Sequence, residues 1–574
     1  MSVEKLITEN LELWTGAATQ KSASGRGSSS KRELTGIRKL RELILELAVR
    51  GKLVPQDSSD EPAEQLLEAL DQGKVVRGFG DCLISDSNLP AGWAIAPLTN
   101  FGSFAGGKTP SKAKAEYWEG DIPWVSPKDM SADEVLGAED HVAQSAVDDG
   151  LALHPAGSIL IVVRSGILRR KLPVAIARID CTVNQDLKVL RLKAHAYGEY
   201  LRLMLLGFES FILENLTKTG VTVESVKFRE FAAQPFPIPP IAEQHRIVQK
   251  VDELMALCDQ LEQQTGDQIE AHERLVDTLL DTLTRAANAT ELAENWARVQ
   301  QHFDTLFTTE HSIDRLKQTI LQLAVMGRLV PHDPDDDSVP SILEGVASMR
   351  KDLRAKKKIS PEKGIVDDRG LEAPKAPIPP NWKWCRLSDI ATVVRGGSPR
   401  PAGDPKFYEG DIPFLKVADV TRAKGKFVEG YTATIKEAGL SKTRFIDVRT
   451  VLLSNSGATL GIPAICDFPA TFNDGIAAFI YLADGVDDEF LHLYLRSKTQ
   501  WFIEFASRGQ GQPNLNTDII RATWFPLPPL EEQRRIVARV DELMTMCDSL
   551  DMQFGEANQT LGQLASVVVE QVVQ

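Results

Sequence analysis

The sequence contains no run of about 18 uninterrupted apolar residues, which excludes a hydrophobic membrane-spanning helix. A secretory leader is not expected either: Met1 to Leu13 carries Glu4, Lys5, Glu9 and Glu12 where a leader needs an apolar stretch, so a cytoplasmic chain is expected. Cysteine is scarce, and Cys82, Cys181, Cys258, Cys385, Cys466 and Cys547 form no C-x-x-C pair and have no histidine cluster nearby. That argues against structural zinc or a disulfide framework and leaves buried free thiols. Positive charge is also short, 65 Lys and Arg against 80 Asp and Glu, a net charge of -15 that is the reverse of a nucleic-acid footprint. The deficit is uneven. Segments 90–235 and 380–525 are close to neutral and the acidic excess lies in the segments around them, so locally basic faces remain available.

Catalytic signatures are lacking too. Gly102 to Thr109 (GSFAGGKT) has the G-x-x-x-x-G-K-(S/T) spacing of a phosphate-cradling loop. Pro110 follows at once, no apolar run ending in a magnesium-binding Asp lies downstream, and the related Gly396-Gly397-Ser398 has no lysine, so nucleotide binding is not expected there. Asp467-Phe468-Pro469-Ala470 departs at two positions from the Asn/Asp-Pro-Pro-aromatic motif of amino-methyltransferases.

What is present is a duplication, on a chain of 574 residues too long for one hydrophobic core. The run from Ile37 (IRKLRELILELAVRGKLVPQD) matches that from Ile313 (IDRLKQTILQLAVMGRLVPHD). Tyr117 to Val125 (YWEGDIPWV) matches Phe407 to Leu415 (FYEGDIPFL), and Phe236 to Leu261 matches Phe525 to Leu550 around a shared P-P-x-x-E-Q-x-R-I-V core. In the first pair, Ile37, Leu40, Ile44 and Leu47 recur at helical spacing, as do Ile313, Leu316, Ile320 and Leu323, and each run stops at Gly51 or Gly327. In the third pair, Pro239-Pro240 and Pro528-Pro529 forbid helix upstream. Beyond them Ile536, Val540, Leu543, Cys547, Leu550, Phe554, Ala557, Leu561, Leu564 and Val568 alternate in steps of four and three, a coiled-coil seam. Such a helix would run roughly 50 Å, which suits a spacer. The first copy opens alike through Ile247, Val251, Leu254, Cys258 and Leu261, meets polar Thr265 and Gln268, and resumes at Leu275 and Leu279. Between the helices the pattern changes to short β-branched runs such as Ser158 to Val163 and Thr450 to Leu453. The helices resemble each other more closely than the globules do, so the helices perform one task twice and the globules two tasks that differ. Gly16 to Arg32 is Gly/Ser-rich and reads as a mobile linker.

Two variable globules, each entered through a Gly-Gly turn ending in Thr-Pro or Ser-Pro and an E-G-D-I-P strand, and each left through the P-P-x-x-E-Q-x-R-I-V helix, resemble the specificity subunit of Type I restriction-modification enzymes. The resemblance extends from about residue 35 to the end. It implies an α+β fold in which two β-rich target recognition domains are joined by long antiparallel coiled-coil helices with an internal pseudo-twofold duplication. The expected segments are an N-terminal helix and flexible linker (1–32), a conserved helical segment (33–88), the first recognition domain (89–238), central helices (239–377), the second recognition domain (378–526) and a C-terminal coiled-coil helix (527–574). The resemblance implies a non-catalytic chain that binds double-stranded DNA, each domain reading half of a split asymmetric site, without a membrane partner. Two methyltransferase and two restriction subunits are the implied protein partners, and S-adenosylmethionine, ATP and Mg are expected on those partners and not on this chain.

Base reading needs paired donors and acceptors near base edges, and phosphate contact needs cations and hydroxyls. In the first globule the candidates are Lys108, Thr109, Ser111 and Lys112 at the entry turn, Arg164, Ser165, Arg169, Arg170 and Lys171 after the SILIVV run, and Asn184 with Gln185. In the second they are Arg395, Ser398 and Arg400, then Asn455 and Ser456, then Asn473, with Lys416, Arg422, Lys424 and Lys426 and the polar run Gln510, Gln512, Asn514 and Asn516. Each surface cation has a plain alternative as a solvated side chain. Asn184 and Asn473 have one as turn residues that cap backbone groups. Asp121 and Asp411 are read as turn residues and not metal ligands, and Lys128 as paired with Asp129. Two other classes compete: an enzyme with its own catalytic site, which would need a cofactor loop, and a coiled-coil scaffold whose globules bind protein.

Overall fold

The structure, a computed structural model, describes residues 3–16, 18–20, 32–71, 89–220, 223–336, 339–356, 377–423, 425–457, 459–506 and 514–573, with a few single positions between 357 and 376. The chain divides into two units, Met1–Gln268 with Glu556–Gln574, and Ile269–Gly555.

In the first unit, α1 (Val3–Glu9) and α2 (Leu11–Gly16) precede α3 (Thr35–Val49), whose Ile37, Leu40, Ile44 and Leu47 are all buried. This helix ends as its sequence dictates: Gly51 has φ +67°, and a Cβ there would also strike Pro90. The globule then runs through β1 (Ala94–Pro97), β2 (Gly102–Gly106), β3 (Ile122–Val125), β4 (Ile159–Val162), β5 (Val174–Ala177), β6 (Thr182–Val183), β7 (Leu187–Leu192), α4 (Gly198–Gly207), β8 (Glu224–Val226) and β9 (Pro235–Ile238) to the long helix α5 (Ile241–Arg285). Its main sheet has the order β2-β7-β4-β5, completed by the short strand Glu134–Val135. The β4 sequence ILIV is buried at every position, as a central strand covered on both faces requires. A smaller sheet places β3 between β6, which runs parallel to it, and Asp140–Val142. Strands β1 and β9 pair antiparallel, so entry to and exit from the globule are joined at one seam.

The second unit repeats this plan after α6 (Ala289–Gln301) and α7 (Glu310–Val325). Its strands are β10 (Lys383–Arg386), β11 (Thr392–Arg395), β12 (Tyr408–Leu415), β13 (Thr450–Ser454), β14 (Pro463–Cys466), β15 (Ala470–Phe472) and β16 (Ile476–Ile480), followed by α8 (Asp488–Ser497), β17 (Trp524–Leu527) and α9 (Leu530–Val573). The main sheet is β11-β16-β13-β14, and β10 pairs β17 as β1 pairs β9.

The repeated E-Q-x-R motif has a structural use in both units. Glu243 is fully buried, and its carboxylate accepts the Trp93 indole N–H at 3.0 Å and the Gln56 amide at 2.6 Å. Gln244 donates to the Pro239 carbonyl at 2.9 Å, and Arg246 is paired bidentately with Asp60. In the second unit Glu532 accepts from Trp382 and Asn381, each at 2.9 Å, and lies 2.6 Å from His332; Gln533 donates to Pro528, and Arg535 pairs with Asp336. A buried carboxylate costs several kcal/mol unless its oxygens are bonded, so the motif ties the start of each long helix to the segments entering the globule. More than three turns further along each long helix, Arg41 bridges Asp259 and Glu262 while Lys317 bridges Asp548 and Asp551.

The seam of the long helices differs in phase from the sequence expectation. In α5, Thr265 is itself buried and the apolar line continues through Val276, Leu280 and Leu283, whereas Leu275 is 52% exposed. In α9, Leu561 is followed by buried Ala565 and not by Leu564, which is 49% exposed. The reason is geometric: a straight α-helix drifts about 20° per heptad against a 3.5-residue repeat, so the buried line advances by an extra residue unless the helix supercoils. The Gly16 to Arg32 segment lies largely outside the described residues; at its ends Ala18–Gln20 pairs antiparallel with Arg32–Leu34. Cys181, Cys258, Cys385, Cys466 and Cys547 are free and buried, and Cys82 lies outside the described residues. Among the described residues no helix is long and apolar enough to cross a membrane, and no group of His, Cys, Asp and Glu is arranged to hold a metal ion.

Candidate nucleic-acid interface

Three of the loops singled out in the sequence meet at one edge of each main sheet. In the first unit the entry turn follows edge strand β2, a second loop follows central β4, and an Asn-Gln-Asp turn joins β6 to β7. The Lys108 N–H donates to the Val183 carbonyl at 3.0 Å, and the Thr109 hydroxyl donates to the Gln185 side chain. Backbone N–H groups of Val163 and Arg164 donate to the Asp186 carbonyl, and the Arg164 guanidinium lies 3.7 Å from the Asp186 carboxylate. Gly107 makes the approach possible, since a Cβ there would sit 1.9 Å from the Asn184 carbonyl oxygen.

The second unit builds the same edge. Gly397 N–H donates to Phe472 at 3.1 Å, the Ser398 hydroxyl to the Asp474 carboxylate at 2.7 Å, and Asn455 N–H to Gly475 at 2.9 Å. A Cβ on Gly396 would lie 2.2 Å from the Asn473 carbonyl. Thr109 thus corresponds to Ser398, Gln185 to Asp474, and Arg164 to Ser456. Each post-strand loop also pairs with an extended segment from the end of its globule, Arg164 with Ser225 and Ser456 with Asn514.

The candidates divide into those this edge presents and those it uses internally. Lys108, Gln185 and Arg164 are exposed at the first edge, and Arg395, Arg400 and Lys416 at the second. Lys112, Arg170 and Lys171 are exposed but take no part in the contacts that join the three loops, and Arg422 ends a short helix beyond Lys416. Ser111 is exposed, and its carbonyl accepts from Trp118 at 3.3 Å. Ser165 caps the following short helix, with its hydroxyl accepting from Ile167. Arg169 is tied to the buried Glu224 at 2.9 Å. Asn184 is 6% exposed and accepts from the Asp186 N–H, and Asn473 accepts from Gly475, so both are turn residues because their side chains satisfy their own backbone. Asn455 is 1% exposed, and Asn516 caps the helix Thr517–Ala522. Lys426 is held between Glu489 and Asp541. Lys424, Gln510 and Gln512 lie outside the described residues.

Register reveals further residues. Lys188 stands opposite Gly106 on β7 with its ammonium 4.9 Å from the Phe228 ring, and Arg444 donates to the Arg395 carbonyl at 3.0 Å. Neither lies in a sequence motif; only strand pairing brings them to the edge. Lys128 pairs with Glu139 and Asp140 and not with Asp129, whose carboxylate instead accepts from Ser126; these hydrogen bonds push the Lys128 ammonium up to about 12. Asp121 and Asp411 are exposed. The GSFAGGKT segment forms β2 and a turn, followed by a short 3-10 turn at Ala115–Tyr117, and so lacks the helix N-terminus that cradles a phosphate.

Comparison with known proteins bears on the same two regions. Residues 90–271 and 379–553 match the family model described as the Type I restriction modification DNA specificity domain. The chain is 35% identical to the Type I restriction enzyme EcoAI specificity subunit of Escherichia coli, with 100% of both chains covered. It is 33% identical to the EcoEI specificity subunit of the same organism, with 99% of each covered. A chain from a solved structure concerned with complex assembly and conformational transition of the type I R-M system is 18% identical, covering 85% of this chain and 98% of that one at a TM-score of 0.47.

Proposed function

The chain belongs to the DNA specificity subunits of Type I restriction-modification systems, and on that premise we propose that its two sheet edges read the two halves of a split, asymmetric DNA site. The observation that carries this reading is one edge built twice with different exposed chemistry. Equivalent backbone and side-chain contacts place Lys108, Arg164 and Gln185 in the first domain where Gly397, Ser456 and Asp474 stand in the second. A shared scaffold with unlike side chains suits two different base sequences. Cations such as Lys108, Arg164, Lys188, Arg395, Lys416 and Arg444 supply phosphate neutralisation that the chain's net charge of -15 conceals.

Catalysis belongs to other subunits of such systems. In this reading the long helices set the interval between half-sites and present their repeated surfaces to two copies of one methyltransferase subunit, since like surfaces bind like partners. Two restriction subunits complete the assembly in the cytoplasm, with S-adenosylmethionine, ATP and Mg held by the partners. The recognition domains correspond to residues 89–238 and 378–526. Exchanging residues 89–238 for the equivalent segment of another specificity subunit, then mapping methylated bases genome-wide, is expected to change one half of the modified motif and leave the other. A change in both halves, or in neither, refutes the assignment.

A further inference from the structure

Beyond the loops themselves, each edge has an aromatic pair behind its entry turn. In the first unit Trp118 and Trp124 stack edge-to-face with centroids 5.1 Å apart. The Trp124 N–H donates to the Lys108 carbonyl at 3.1 Å and the Trp118 N–H to the Ser111 carbonyl at 3.3 Å, so two indoles grip the turn on either side of Thr109 and Pro110. In the second unit the same places hold Tyr408 and Phe414, edge-to-face at 5.9 Å, and the Tyr408 hydroxyl donates to the Pro399 carbonyl at 2.8 Å. Chemistry differs between the copies, and the acceptor moves by one residue since Pro399 corresponds to Pro110, yet the edge-to-face ring geometry is kept and in each copy a buried or half-buried ring holds a carbonyl of the entry turn.

We infer that Trp118, Trp124 and Tyr408 are positioning residues for sequence recognition, fixing the entry turns so that their outward groups meet DNA in one register. This rests on the proposed role of the edges in reading half-sites. A turn of Gly, Thr and Pro residues has no side-chain core of its own, and the cost of ordering it on DNA falls on affinity and discrimination unless it is already held. The indole and phenol donors hold it in the free protein. Their donors are bonded to backbone carbonyls of the turn, so they set its geometry without contributing a base contact. The first turn is held at two carbonyls and the second at one.

The test uses the full chain assembled with its methyltransferase subunits, and DNA duplexes carrying single substitutions in either half-site. The Trp118→Phe, Trp124→Phe double variant keeps an aromatic ring at each position and loses both donors. It is expected to lower discrimination at the first half-site by about tenfold, taking a few-fold for each hydrogen bond lost, while discrimination at the second half-site stays unchanged. Tyr408→Phe is expected to do the reverse, to a smaller extent. Either variant serves alone should the other fail to assemble. Unchanged discrimination in both variants, or equal loss at both half-sites, overturns the inference. Lys108→Ala with Thr109→Val separates the two levels: if this variant alters first-half-site discrimination and the aromatic variants do not, only the positioning role fails; if none of them does, the reading of the edges fails with it.

Discussion

At the residue scale, two buried histidines connect pH to stability. Burial, and then the Arg191 charge, hold the His154 imidazole down to about 4, and burial with Arg496 and Lys426 does the same for His492. In the unfolded chain both titrate near 6.5. Between about pH 6.5 and 4 the unfolded state therefore binds protons that the folded state does not, so stability is full above 6.5 and declines as pH falls through that window. Urea midpoints measured at pH 7.5 and pH 5 are expected to differ. His154→Gln, which retains an acceptor for the Arg191 guanidinium, is expected to shrink that difference, and an undiminished one would remove His154 from the account. Gly107 and Gly396 act by size alone, and Gly107→Ala is expected to displace the first entry turn and abolish recognition of one half-site, read as loss of one half of the methylated motif.

At the element scale, the long helices show how a correct period can carry an incorrect phase. Leu275 and Val276 are neighbours, but only Val276 is buried. Val276→Asp is expected to destabilise the second unit by roughly 2–4 kcal/mol, whereas Leu275→Asp is expected to be near neutral. The pair Ala565→Lys and Leu564→Lys should behave in the same way in the first unit. Thermal unfolding of the four variants checks both claims, and equal effects within either pair would restore the strict heptad. The buried-carboxylate locks belong to this scale as well, because Glu243 and Glu532 fix helix starts and not single contacts. Burial raises the Glu243 carboxyl while bonds from Trp93 and Gln56 oppose that shift.

At the scale of the whole molecule, duplication is the organising fact. Each unit comprises entry helices, a sheet domain zipped at its base by β1 and β9 or β10 and β17, and the start of a long exit helix. Inserting seven residues into each long helix is expected to lengthen the interval between the two modified half-sites while leaving their sequences intact, as methylation mapping would reveal. Loss of a half-site instead would detach spacing from the helices.

The sequence alone determined the duplication, the helix stops at Gly51 and Gly327, the family, and the alternation of helical with sheet segments, because each depends on local pattern or on repeated identity. It also located the loops that meet at the sheet edges. It held a signal for the aromatic brackets too, since Trp118 and Trp124 recur as Tyr408 and Phe414 at the same spacing, but their partners could not be read from it. Tertiary structure decided which candidate side chains face outward, as with Lys108, and which are consumed by partners far along the chain, as Lys426 is by Glu489 and Asp541 or Arg169 by Glu224. Those partners are set by strand register and helix phase, and a shift of one residue in either reverses inside and outside.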